Sequence, residues 1–212
     1  MPKIIGESLA SHRELTRARL FEALGSLMGE QSFESITMSQ IAERAGVGRT
    51  AVYNHFADKE VLLLAYMREV TSEFARILTQ RLDSEPDPLM RLRIYVRSHL
   101  QMIGRYHVKA GMGLRRQMSG QGASHLHDHA GIVGELLIGI LDEAMERGLI
   151  VAQNTLGAVH LIHATLQGQR LPKDPAHRES ALLLVETFIL RGLGASEDNV
   201  RHVTTSTLPA GE

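Results

Sequence analysis

Apolar positions along this chain recur at spacings of three and four, the period of an amphipathic helix, with no sustained strand-like alternation. Residues 2–10 read as a flexible arm, after which Leu20, Ala23, Leu24, Leu27 and Met28 trace one buried helical stripe. Phe33 and Ile36 follow it and are expected to plug the bottom of a small core. Thr37 stands three residues before Gln40, the spacing of a capping box, so a short helix is predicted to start at Met38 or Ser39. Ile41, Ala42 and Ala45 form its apolar side, and Gly46 supplies the left-handed residue that ends a helix without a Cβ penalty. Val47 tucks the turn inward. From Arg49 the helical pattern resumes, with Val52 and Phe56 four apart on one side and Arg49, Thr50, Tyr53, Asn54 and His55 between them. Two short helices about a glycine-marked turn, the second carrying donor-rich side chains opposite its apolar face, fit a unit that reads a DNA major groove.

Longer helices are predicted downstream. Asp58 can cap one in which Leu63, Met67, Val70, Phe74 and Ile77 alternate by threes and fours until the DSEPDP stretch near residue 83. Asp87 and Pro88 open the next, where Leu92, Tyr95, Val96, His99 and Ile103 share a side. Gly111, Gly113, Gly120 and Gly122 punctuate an irregular region before a helix over about 123–147, ended by Gly148 and apolar nearly all round at its middle, which marks it as central. Asn154 caps a helix through 169, and Asp174 with Pro175 opens a last one through Leu193. The expectation is an all-α chain of about nine helices, ending in a polar, disordered tail over 196–212.

Residues 41–63, IAERAGVGRTAVYNHFADKEVLL, resemble the DNA-binding signature of the tetracycline-repressor (TetR) family nearly position by position. Gly48 stands where that family commonly has a serine cap, and Thr50 where it commonly has glycine. Glycine is itself a fair N-cap, so the first departure is mild. The second puts a hydroxyl and a methyl near the bases. The resemblance implies a helix-turn-helix DNA-binding domain over 1–58 and an effector-binding and dimerisation domain over 59–195. It also implies that Tyr53 and Lys59 hold phosphates while Arg49, Thr50, Asn54 and His55 touch or approach bases. Arg49 suits guanine O6 and N7, Asn54 suits adenine, and Thr37 and Ser39 at a helix N-terminus suit a phosphate.

Composition narrows this picture without redirecting it. The chain is 43% hydrophobic and 22% charged, which suits an ordinary soluble protein, and its lack of cysteine makes a reducing cytoplasm the expected location. Aromatic content of 4% without tryptophan argues against a stacking platform for single strands. A net charge of -1 denies the chain a broad basic coat, so DNA binding must rest on local cations. Cysteine is absent, removing disulfides and thiolate metal sites, and no segment reads as a membrane span or a cofactor motif. Nucleophile elbows, phosphate loops and H-E-x-x-H patterns are missing too, so no enzyme is expected.

The expected partners are a palindromic duplex operator, a second copy of the chain and a small-molecule effector of unknown identity. Leu161, Ile162, Thr165 and Leu166, with Leu182, Val185, Phe188 and Ile189, form two apolar faces that the resemblance assigns to a four-helix dimer interface. A two-fold dimer would read half-sites about 34 to 36 Å apart. Met67, Phe74, Tyr95, His99, Met102, Ile103, Tyr106, Met112, Leu137 and Met145 are candidates to line an effector cavity. Two alternatives stand beside this reading: a metal-responsive regulator using His125 and His129 with His160 or His163, and a helical enzyme with a base such as His99 or His129.

Overall fold

A computed structural model describes the backbone of residues 3–106 and 120–208 and the side chains of residues 11–102 and 133–208. Among the described residues there are nine α-helices, one 3-10 turn and no strand. The helices are α1 (Lys3–Glu30), α2 (Met38–Ala45), α3 (Arg49–His55), α4 (Lys59–Asp83), α5 (Pro88–Tyr106), α6 (Gly120–Glu146), α7 (Thr155–Gln167), α8 (Pro175–Gly192) and α9 (Glu197–Thr205). They fall into two compact units, one built on Met1–Val70 and one on Thr71–Arg105 with His127–Glu212.

The first unit holds α1, the 3-10 turn Phe33–Ser35, α2, α3 and the start of α4. Leu20, Leu24 and Leu27 of α1 meet Ile36, Ile41, Val52, Leu62 and Leu63 in its core, all but fully buried. Phe21 packs between Phe56 and Tyr66, with ring centroids 5.9 and 5.8 Å apart. Two expectations change here. The predicted arm is part of α1, because nothing between Lys3 and Ala10 stops a helix from propagating: there is no proline and a single glycine. Phe33 is only half-buried and leaves the floor of the core to Ile36.

In the second unit Leu78, Leu89, Leu92, Tyr95, Leu137, Leu141, Leu166 and Val203 are among the most deeply buried members of one apolar core. Local caps set the helix boundaries. Asp87 accepts from Leu89 N, Asn154 from Gly157 N and Asp174 from His177 N, at 3.0, 2.6 and 3.0 Å. Gly148 and Gly194 close α6 and α8 with φ of 66° and 77°. The tail expectation is corrected: Ser196 caps α9, and its short apolar pair Val200 and Val203 is buried. Arg93 holds this helix, its guanidinium donating to the carbonyls of Val203 and Ser206 at 2.6 and 2.7 Å. Glu186, fully buried, neutralises Arg93 at 2.9 Å and also accepts from Arg97. One carboxylate on α8 therefore ties two arginines of α5, one of which ties α9.

Candidate nucleic-acid interface

The geometry of the first unit starts with the α2 cap. Thr37 Oγ1 accepts from Gln40 N at 3.2 Å, and Gln40 Oε1 accepts from Thr37 N at 2.8 Å, so the predicted capping box is reciprocal. Gly46, with φ 64° and ψ 35°, lets its own N–H return to α2 and turns the chain toward α3. Arg44 then braces α2 on α1, donating to Ser26 at 2.7 Å and to both carboxylate oxygens of Glu30 at 2.8 and 2.9 Å. The Arg44 guanidinium correspondingly holds the Glu30 carboxyl below the usual range. That cation is spent within the fold.

Helix α3 is anchored from one side only. Val52 is fully buried and Phe56, its C-cap, nearly so, whereas Arg49, Thr50, Tyr53 and Asn54 are exposed. Positions i, i+1, i+4 and i+5 of a helix share a face. None of these four side chains makes a hydrogen bond or ion pair with another described residue. The result is a short helix that presents a guanidinium, a hydroxyl, a phenol and a carboxamide together, the donors and acceptors that pair with base edges and phosphates. Ser39 is exposed at the first turn of α2, and Thr37 has its hydroxyl engaged in the cap.

Two of the expected contact residues are engaged within the fold. Lys59 is a buttress: its Nζ donates to the carbonyls of Phe33, Glu34 and Ile36 at 3.1, 2.8 and 3.0 Å and lies 4.9 Å from the Phe33 ring centroid. An ammonium has three N–H groups, so none is left for a phosphate. His55 is half-buried, 6.2 Å from Phe56 by ring centroids. Its pKa is lowered first by burial and then by the positive charges of Arg13 and Arg17. This electrostatic coupling shows what the sequence reading missed: α1 brings Arg13, exposed, and Arg17 near the C-terminal end of α3. Arg17 is shared with Glu69 at 3.9 Å and with the Phe21 ring at 5.1 Å, which leaves Arg13 as the freer cation. The available signal was two arginines one turn apart on the polar side of α1.

The other candidate residues lie elsewhere. Of the expected effector set, Met67 belongs to the first unit and Phe74, Tyr95, His99, Met102, Leu137 and Met145 to the second; Ile103, Tyr106 and Met112 lie outside the described side chains. Phe74, Tyr95 and Leu137 are buried in the core, Met145 packs against it with Sδ 3.3 Å from Gln153 N, and Tyr95 and His99 come together with His163. The expected dimer faces split. Ile162, Leu166, Leu182, Val185 and Ile189 close the core of their own chain, and Thr165 Oγ1 bonds the Leu161 carbonyl at 2.9 Å. Leu161 and Phe188 point outward, 71% and 63% exposed, joined by Leu184 at 70%, which periodicity did not single out. For the histidine alternative, His160 is exposed while His163 is bonded to Tyr95, and the side chains of His125 and His129 lie outside the described residues. Among the described residues no three His, Cys, Asp or Glu side chains gather as a metal site, and no helix is long and apolar enough to cross a membrane.

Comparison with known proteins points to the same unit. Residues 20–66 match the family model described as bacterial regulatory proteins, tetR family. The HTH-type transcriptional regulator BetI of Burkholderia ambifaria (strain MC40-6) is 34% identical over 97 residues, which cover 45% of this chain and 47% of that protein. The chain thus spans about half the length of the curated relatives it matches. Among solved structures, RolR in complex with resorcinol superposes with a TM-score of 0.60 at 23% identity, covering 96% of this chain and all of that one. AibR in complex with isovaleryl coenzyme A and operator DNA superposes with a TM-score of 0.71 at 17% identity, covering 82% and 97%. At these identities the structural likeness speaks for the fold.

Proposed function

Since the chain belongs to the tetR family of bacterial regulatory proteins, we propose that it acts as a homodimeric repressor that binds a palindromic operator and leaves it when a small molecule binds. The observation that carries the DNA-reading part is the free polar face of α3, with Arg49, Thr50, Tyr53 and Asn54 displayed by a capped, core-anchored turn. Arg49 and Asn54 read base edges, Tyr53 holds a phosphate from the flank, and Arg13 of α1 adds a phosphate contact beside His55. Lys59 acts by fixing the chain that enters α2. Near-neutral overall charge fits this division, because the few free cations then do their work at the operator and little is lost to random DNA.

Dimerisation rests on Leu161 of α7 with Leu184 and Phe188 of α8, large apolar side chains left in water by their own chain. Burying a side chain of this kind is worth roughly 1.5 to 3 kcal/mol, and a two-fold axis counts each twice. The effector part is supported by the solved neighbours, of which RolR carries resorcinol and AibR isovaleryl coenzyme A. Release by a ligand is then a coupling between its affinity and that of the operator. Fluorescence anisotropy on the intergenic DNA upstream of the gene tests the proposal. Preference for that DNA over a random duplex of equal length is expected, and equal affinity for both across a salt series would overturn it.

A further inference from the structure

One polar cluster interrupts the apolar core of the second unit and takes no part in DNA reading. Tyr95 and His99 stand one turn apart on α5, and His163 of α7 meets both. The three rings lie within 22° to 26° of parallel, with centroids 5.5 to 6.2 Å apart, and Phe74 approaches His99 edge-on at 6.0 Å. Tyr95 Oη is 2.7 Å from His163 Nε2. Burial raises the tyrosine pKa, so the phenol keeps its proton, and the tautomer of His163 sets which of the two groups donates. His99 Nδ1 is different: it is buried and has no hydrogen-bond partner among the described residues. An unpaired buried ring nitrogen is costly, and a leucine at this position would avoid the cost.

We propose that His99 Nδ1 is the polar anchor of the effector site and that the effector is an uncharged planar ring bearing a hydroxyl group. This rests on the ligand-responsive reading above and names the chemistry of its ligand. A hydroxyl both donates and accepts, so it pairs with Nδ1 in either tautomer of the imidazole. A flat ring can extend the nearly parallel stack of Tyr95, His99 and His163. Charge is selected against. Burial, reinforced by His163, lowers the His99 pKa to about 3, and the desolvation that leads this shift also penalises a buried carboxylate or ammonium. Among the described arginines of α5 each positive charge already has a carboxylate partner, Arg91 with Glu143, Arg93 with Glu186, and Arg97 with Glu179 and Glu186, although Arg91 Nε itself has no hydrogen-bond partner.

The test titrates the full chain with phenol and 2-naphthol, with benzene and naphthalene, and with benzoate and 2-naphthoate, by ligand-detected NMR. At least one hydroxyl compound should bind about tenfold or more tighter than its matched hydrocarbon and carboxylate. His99→Leu should remove that preference while melting no lower than the parent chain, because it relieves an unpaired nitrogen. A carboxylate binding as tightly as its hydroxyl partner, no preference for any hydroxyl compound, or a His99→Leu chain that keeps the preference would overturn the proposal. So would a much lower melting temperature of that variant, which would reveal a structural hydrogen bond. A parallel arm measures occupancy of the upstream DNA in the presence of the tightest hydroxyl compound. Binding with release supports both readings, whereas binding without release supports the site and sinks ligand control of DNA.

Discussion

Lys59 separates a fold-holding cation from a DNA-holding one. Replacing it with methionine keeps the apolar stem and removes an ammonium that donates to three carbonyls at 2.8 to 3.1 Å. A hydrogen bond with a charged partner is worth roughly 1.5 to 3 kcal/mol net. Here three bonds share one charge at a partly solvated site, so the set is worth about 2 to 4 kcal/mol. For a chain of this size each kcal/mol moves the melting temperature by roughly 2 to 4 °C, which places the expected drop at about 4 to 16 °C. The carbonyls belong to the turn that delivers Thr37 to its cap, so loosening them also displaces α2 and weakens operator binding.

The assay that discriminates is the salt dependence of operator affinity. A lysine that neutralises a phosphate contributes about 0.9 to the slope of log affinity against log salt, and its removal lowers the slope by that amount. A lysine that only braces the turn leaves the slope unchanged while affinity falls at every salt concentration. Lys59→Met should therefore melt lower, bind more weakly and keep the parent slope. A variant that melts like the parent and loses about one unit of slope would refute the buttress argument.

Three further outcomes are expected. Glu186→Gln leaves Arg93 without its charge partner in a buried site and should cost about 3 to 5 kcal/mol in urea denaturation, with α9 becoming the first segment cut by protease; a cost under about 1 kcal/mol would contradict the network. His99 makes stability fall with acid: its folded pKa of about 3 lies below the ordinary 6.5, so the unfolded chain takes up a proton that the folded chain refuses as pH drops through that window. The loss at pH 5 is about 2 kcal/mol relative to neutral pH, and His99→Leu should lack that share; identical pH profiles of parent and variant would refute it. Leu184→Glu with Phe188→Glu should turn a particle of twice the 23.4 kDa chain mass into a monomer by light scattering, and a persisting dimer would place the interface elsewhere.

What could be read from sequence divides along a physical line. The caps at Thr37, Asp58, Asn154 and Asp174 were legible because a side chain bonding the backbone two or three residues ahead is a local event. The exposed face of α3 was legible for the same reason, since Val52 and Phe56 declare its inner side. Lys59 was not, because its partners lie 23 to 26 residues back in the chain and only the closed core brings them near. On α7 and α8 apolar residues surround the axis, so periodicity does not say which stripe faces inward. Packing decided that Ile162, Leu182 and Ile189 go in while Leu161, Leu184 and Phe188 stay out. Helix α9 escaped notice because two valines are too short a pattern, and its hold on the fold comes from Arg93, more than a hundred residues earlier.

The central claim is that the free face of α3 reads sequence. Competition binding of the parent chain and of Arg49→Ala to the upstream DNA and to a random duplex, at one fixed salt concentration, tests it most directly. A bidentate contact to guanine is worth about 1 to 3 kcal/mol of discrimination, so Arg49→Ala should lower the specificity ratio by roughly five- to two-hundredfold. Its affinity for the random duplex should fall far less. An unchanged ratio, with both affinities reduced together, would mean that Arg49 only attracts phosphate and that sequence is read elsewhere.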